Sequence, residues 1–184
     1  YPWARLYNMA LHQENVAILA IVRSSEREPL FKWVGSIHSP KSYLWGRKGP
    51  NSIKIGSPND LRMYSFVVSN NGIDQQVLSS IYGLRKGKEL HIVNNPDQRF
   101  MMVLHNRADL FEDHELGLKW NMKEKGYDFN QLEKVMTIPE ISTEVSMAFS
   151  KKTGDAIVNQ YRAALKKIKQ NGIYQHIINR YTQH

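Results

Sequence analysis

Hydrophobic and polar positions alternate along this chain in a way that predicts strands and helices in turn. Pro2 suits the first turn of a helix, and Trp3, Leu6, Ala10 and Leu11 then recur at helical spacing to about Gln13. The continuous run Val16–Val22 reads as a buried parallel strand. Ser24–Pro29 is a polar loop, Phe31–Val34 and Tyr43–Gly46 are extended, and the Pro-, Gly-, Ser- and Asn-rich stretch 50–60 is a loop. A second block follows: strand Tyr64–Val68, turn Ser69–Gly72, helix Asp74–Tyr82, strand Glu89–Val93, and a helix opened by Pro96. Then come a short strand Ala108–Phe111, a helix Leu116–Lys125 stopped by Gly126, and strands Leu132–Ile138 and Glu144–Phe149. Two helices close the chain. One carries Ile157, Tyr161, Leu165 and Ile168 on one face and ends at Asn171-Gly172, and the other uses Ile173, Ile177, Ile178 and Tyr181. Strands alternating with helices imply an α/β class with mostly parallel sheets.

Composition narrows the classes. The 184 residues are 41% hydrophobic and 23% charged, as in ordinary globular proteins. No apolar run approaches the roughly 18 residues of a membrane span. Tyr1–Arg5 lacks the apolar stretch of a secretory leader, so a signal peptide is not expected within this chain. The absence of cysteine excludes disulfides, thiol nucleophiles and thiolate metal sites. The net charge of +8 is scattered, with short clusters at Arg85–Lys88 and Lys166–Lys169, the latter on the solvated side of a helix. Nucleic acid is therefore not an expected partner. There is no P-loop, no G-x-S-x-G and no G-x-G-x-x-G, and the histidines show no metal spacing. Neither an enzyme, a metal nor a cofactor is expected.

Several stretches, in order, resemble one family. Pro2-Trp3-Ala4-Arg5 before the strand Val16–Val22, Ser24-Ser25-Glu26-Arg27, and Phe31–Ser36 form the first group. Asn106–Leu110, Ala148–Lys152 and Asn171–Tyr174 with Arg180-Tyr181 form the second. Together they resemble the family 3 extracellular solute-binding proteins, amino-acid receptors of ABC importers. The resemblance implies a two-lobed periplasmic-binding-protein-like fold of type II, each lobe a mostly parallel sheet with flanking helices. Lobe 1 would hold residues 1–44 and 145–184, and lobe 2 residues 45–144, with crossings around Tyr43–Arg47 and Ser142–Val145. Members begin earlier than the Pro2-Trp3 segment, so lobe 1 is expected to be incomplete here.

The same resemblance points to ligand-binding residues. Arg27 corresponds to the arginine that grips a ligand carboxylate, a role suited to a guanidinium fork; an ordinary surface arginine is the alternative. Where small polar residues are usual, Ala20 and Val22 are apolar, and Arg23 adds a cation, which favours a different or more anionic ligand. Ser69, Asn70, Asn71 and Gly72, between a strand and a helix, would offer N–H groups to an anion or simply cap the helix. Asp113 and His114 stand where members pair an acid with the ligand amine, though a surface Asp reads equally well. Trp45, like Trp3, is either a stacking platform or core. The implied function is the substrate-binding component of an ABC-type importer that closes on a small polar solute, with a membrane permease as partner and a periplasmic or extracytoplasmic location. Alternatives are a sensing input domain of a membrane signalling protein and a non-binding fragment. Exposed sheet edges add a strand-exchanged homodimer to the expectations.

Overall fold

The computed structural model describes residues 1–50, 52–141 and 144–182, the side chains of 181 and 182 excepted. The side chain of the expected apolar position Tyr181 and part of the expected crossing Ser142–Val145 lie outside what is described. In chain order the first elements are α1 (Trp3–His12), β1 (Ala17–Val22), β2 (Phe31–His38) and β3 (Ser42–Arg47). Then follow β4 (Phe66–Ser69), α2 (Ile73–Ser80), β5 (Leu90–Val93), α3 (Asp97–Leu104), β6 (Leu110–His114) and α4 (Glu115–Glu124). The chain ends with β7 (Leu132–Thr137), β8 (Val145–Ser150), α5 (Asp155–Gln170) and α6 (Ile173–Thr182). It divides into two compact units, Tyr1–Arg5 with Pro40–Thr143, and Leu6–Ser39 with Glu144–His184.

The larger unit holds a five-stranded sheet in the order β5-β4-β6-β3-β7. Side chains alternate across its two faces, as the period of two along a strand requires. Leu44, Phe66, Val68 and Leu110 meet Val77 and Leu78 of α2 on one face. Trp45, Val67 and Phe111 meet Phe100 and Val103 of α3 and Leu118 and Met122 of α4 on the other. With both faces covered, these strands read as apolar runs. The sheet is mixed rather than mostly parallel. β4 is parallel to β5 and β6, but β3 runs antiparallel to both β6 and β7. β3 inserts between two strands joined by a helical crossover, and no local periodicity reports such an insertion. It also lies wholly in the larger unit, and the chain passes between units at residues 39 and 40.

In the smaller unit β8 lies between β1 and β2 and is antiparallel to both. The expectation of a buried parallel strand at Val16–Val22 is therefore corrected. Ile18, Ile21 and Val22 are buried, Leu19 is 67% exposed, and the register shifts between Ile18 and Ile21. α5 is held against β2 by Arg162, which donates Nε and Nη2 to the Trp33 carbonyl at 2.9 and 2.7 Å. Gly172 ends that helix at φ +79°, where a side chain would be strained. Of the expected inward face of α5, Ile157 and Tyr161 are partly exposed, while Val158 is the buried contact to Met147 and Phe149.

Candidate functional site

The parallel strands β4, β5 and β6 end on one edge of the larger unit's sheet. β4 leads into α2 on one face and on to β5, and the chain then crosses by α3 on the other face to β6 beyond β4. The order reverses around β4, and open α/β sheets leave a crevice for ligands at such a point, outside the carboxyl ends of the strands. Ser69 ends β4 and Asn70–Gly72 follow it, Asn94 follows β5, and Asp113 and His114 end β6. Asn70 Nδ2 donates to Asn94 Oδ1 at 3.1 Å, tying two of these loops together.

A buried charge cluster underlies this edge. Arg99 of α3 donates Nη2 to Asp113 Oδ2 at 3.0 Å and Nη1 to the Glu112 carbonyl at 2.7 Å. Its Nη1 also lies 3.4 Å from Asp74 Oδ2, in the first turn of α2, and 3.8 Å from Glu112 Oε2. One guanidinium thus joins the helices of both faces around the end of the sheet. Burial by itself would lower the Arg99 pKa, but Asp113, Asp74 and Glu112 together raise it. Burial raises Asp74, against the opposing pull of Arg99 and of the Ser69 N–H. Burial also pushes Glu112 up to about 8, with Asp113 and Asp74 adding to the shift and Arg99 and Ser42 opposing it. Three carboxylates around one cation cannot all ionise cheaply in a dry site, so at neutral pH Glu112 holds its proton.

The sequence leaves the turn after β4 open between an anion cradle and a helix cap. The turn's four backbone N–H groups are used within the unit. Ser69 donates to Asp74 Oδ2 at 2.8 Å, Asn70 to the Val93 carbonyl at 2.8 Å, Asn71 to Gln75 Oε1 at 2.9 Å and Gly72 to the Ser69 carbonyl at 2.9 Å. Asn71 takes φ +57°, a conformation asparagine tolerates, and its carbonyl accepts the Trp3 indole N–H at 2.8 Å. What the turn offers a ligand is its side chains.

The other candidate residues divide. Asp113 and His114 do reach the edge. Asp113 Oδ2 is paired with Arg99, its Oδ1 accepts the His114 N–H at 2.8 Å, and its carbonyl accepts the Trp45 indole N–H at 2.9 Å. Trp45, which the sequence leaves open between stacking platform and core, is core and not a ligand contact: it is 1% exposed and packs edge-on against Phe129 and Tyr43. Arg27 belongs to the smaller unit, where it is 4% exposed, donates to the Val22 carbonyl at 3.3 Å and lies over the Tyr7 ring. Arg23 is instead a surface partner of Glu28, donating Nη2 to Oε1 at 2.6 Å.

No protein-family model matches the chain, and no curated protein matches it in sequence. Solved structures do. A substrate-binding protein of an amino-acid ABC transporter superposes with a TM-score of 0.80 at 14% identity, over 100% of this chain and 78% of that one. The arginine-, lysine-, histidine-binding protein ArtJ from Geobacillus stearothermophilus gives 0.77 at 16% identity, over 100% and 76%. A histidine kinase sensor domain with similarity to periplasmic binding proteins gives 0.79 at 17% identity, over 98% and 75%. The fold is that of the periplasmic binding proteins. At these identities the likeness speaks for the fold, which hosts binding proteins and sensors alike.

Sequence reasoning missed Asp74, Arg99, Glu112 and Ser42. Two signals were available: an acid in the first turn of a helix directly after a Gly-terminated turn, and two acids closing an apolar strand, Leu110-Phe111-Glu112-Asp113. Neither signal says that the groups meet.

Proposed function

We propose that this chain is the solute-binding component of an ABC-type importer, taking a small amino-acid-like solute at the carboxyl edge of β4 and β6. The observation that carries this is the convergence of Ser69, Asn70, Asp113 and His114 at the point where strand order reverses. Even with Glu112 protonated, Asp74 and Asp113 outnumber Arg99 there, which favours a ligand with a cationic group. The likeness to amino-acid receptors supports the solute class, and with it a permease partner and an extracytoplasmic location. In the smaller unit the buried Arg27 is our candidate for an anionic ligand group.

The test is titration calorimetry with arginine, lysine, histidine, glutamine and glutamate. We expect the basic amino acids to bind, glutamate to bind more weakly, and His114→Ala to weaken binding about tenfold, the equivalent of about 1.4 kcal/mol. No heat with any of the five overturns the proposal. The likeness to a sensor domain supports a second reading, ligand sensing. It shares the same titration result but predicts no ligand-dependent association with a permease.

A further inference from the structure

The pairing of β4 with β6 stops short of the candidate site. Phe66 pairs with Leu110 and Val67 with Phe111, and the ladder ends there; on its other side β4 stays paired with β5 as far as Ser69. Successive residues of a strand point their N–H and C=O groups to opposite neighbours. Phe66 and Asn70 donate toward β5, to the carbonyls of Glu89 and Val93 at 2.7 and 2.8 Å, so the Ser69 N–H points toward β6. Leu110 donates to the Ser65 carbonyl, just before β4, at 3.0 Å, so the Glu112 carbonyl points toward β4. At the even spacing of a parallel ladder, the next rung would run from the Ser69 N–H to the Glu112 carbonyl.

Two side chains stand in place of that rung. The Ser69 N–H goes to Asp74 Oδ2 at 2.8 Å, and the Glu112 carbonyl accepts Arg99 Nη1 at 2.7 Å. Arg99 Nη1 and Asp74 Oδ2, 3.4 Å apart, close the path between the strands. A carboxylate and a guanidinium in series span more distance than one N–H···O bond of about 3 Å, so the strands part where they would otherwise meet. The fork is anchored at its other nitrogens, by Nε to the Pro96 carbonyl at 3.3 Å and by Nη2 to Asp113 Oδ2 at 3.0 Å. Only an arginine presents donors on two terminal nitrogens in one plane. A lysine has one nitrogen, and cannot serve Asp113 and the Glu112 carbonyl from the two places that Nη2 and Nη1 occupy.

We propose that Arg99 is a positioning residue of the candidate site: with Asp74 it replaces one rung of the sheet and keeps β4 and β6 parted where Ser69, Asn70 and Asp113 converge. The effect on a ligand rests on the function proposed above; the replaced rung does not. Arg99 comes from α3, which crosses from β5 to β6, and Asp74 from the first turn of α2, which leaves β4. The crossing that reverses the strand order therefore also supplies the group that holds the crevice open. Both side chains are buried, 13% and 3% exposed, so they act through the groups they hold, the Ser69 N–H and the Asp113 carboxylate.

The experiment is NMR of the scalar coupling that a hydrogen bond carries between the Ser69 nitrogen and the Glu112 carbonyl carbon, together with amide exchange and arginine calorimetry. It is run on the whole chain, on Arg99→Lys, and on Arg99→Met combined with Asp74→Leu. The wild-type chain should show no coupling between the two groups. In the double variant the buried N–H and C=O have lost both partners, a costly state that they relieve by bonding each other, so the coupling should appear. Arg99→Lys should let the Ser69 amide exchange about tenfold faster, while the Asn70 amide, bonded toward β5, keeps its rate. Both variants should bind arginine at least about tenfold more weakly. A coupling in the wild-type chain, its absence from the folded double variant, or an unchanged Ser69 rate in Arg99→Lys overturns the replaced rung. Arginine bound as tightly by the folded variants as by the wild-type chain overturns the positioning role alone. If the rung closes in the double variant while the wild-type chain binds no amino acid, the replaced rung stands and the functional reading falls.

Discussion

At Gly72 an added Cβ would lie 2.0 Å from Asp74 Oδ1 and 2.9 Å from the Ser69 carbonyl oxygen. The backbone angle there is ordinary, φ −74°, so the glycine is required by close approach and not by conformational freedom. Asp74 cannot swing aside without leaving Ser69 N–H and Arg99. Gly72→Ala should therefore destabilise the chain by about 1–3 kcal/mol, as overpacking does, measured by urea unfolding; a change under about 0.5 kcal/mol would show that the turn yields. Glu112 makes a prediction about pH. Its carboxyl is held well above its ordinary 4.5, at about 8, so between those values the folded chain binds the proton that the unfolded chain has lost. Stability from this group is full at low pH and is lost as pH rises through 8, with a slope of at most about 1.4 kcal/mol per pH unit. Glu112→Gln should remove that share of the slope and gain stability over wild type toward higher pH. Parallel pH–stability curves for the two proteins would contradict the buried-acid assignment.

At the level of elements, β1 is one of the sheet-edge strands. β8 pairs with one side of it, and no strand pairs with the other among the described residues. Leu19 projects from it largely into solvent. An apolar edge strand is a template for pairing with another chain, and a lysine on it is a known remedy. We expect this chain on its own to run above 21.4 kDa in light scattering, and Leu19→Lys to bring it back to the monomer mass. A wild-type monomer at all concentrations would count against edge pairing. Much at this scale was legible beforehand: Gly126 and Gly172 end α4 and α5 where their positions imply, both at positive φ. The direction and neighbours of β1 were not, because Val16–Val22 carries the same apolar run whether its partner runs parallel or antiparallel.

For the molecule as a whole, binding and stability are linked. If the chain takes a basic amino acid, a hundredfold excess over the dissociation constant should stabilise it by about 2.7 kcal/mol. Chemical unfolding with and without arginine checks this, and an unmoved midpoint with every amino acid would set aside the receptor reading. Local opening of the larger unit alone, read by hydrogen exchange at β4 and β6, would show which unit carries the stabilisation.

The sequence by itself determined the α/β class, nearly every strand and helix, and the turn where Ser69–Gly72 stand; it ended the strand of Asp113 and His114 at Phe111, three residues early. These follow from periodicity, capping and the ordered likeness of short segments, all of which are local. Only the tertiary structure decided that β3 enters between β6 and β7, that Trp45 is core, and that Arg99 meets Asp74 and Asp113. Asp74, Arg99 and Ser42 come from three separate elements, and whether a charged side chain is solvated or buried is set by its neighbours in space. The same holds for Glu112, whose proton is held by burial and by charges that no stretch of sequence brings together.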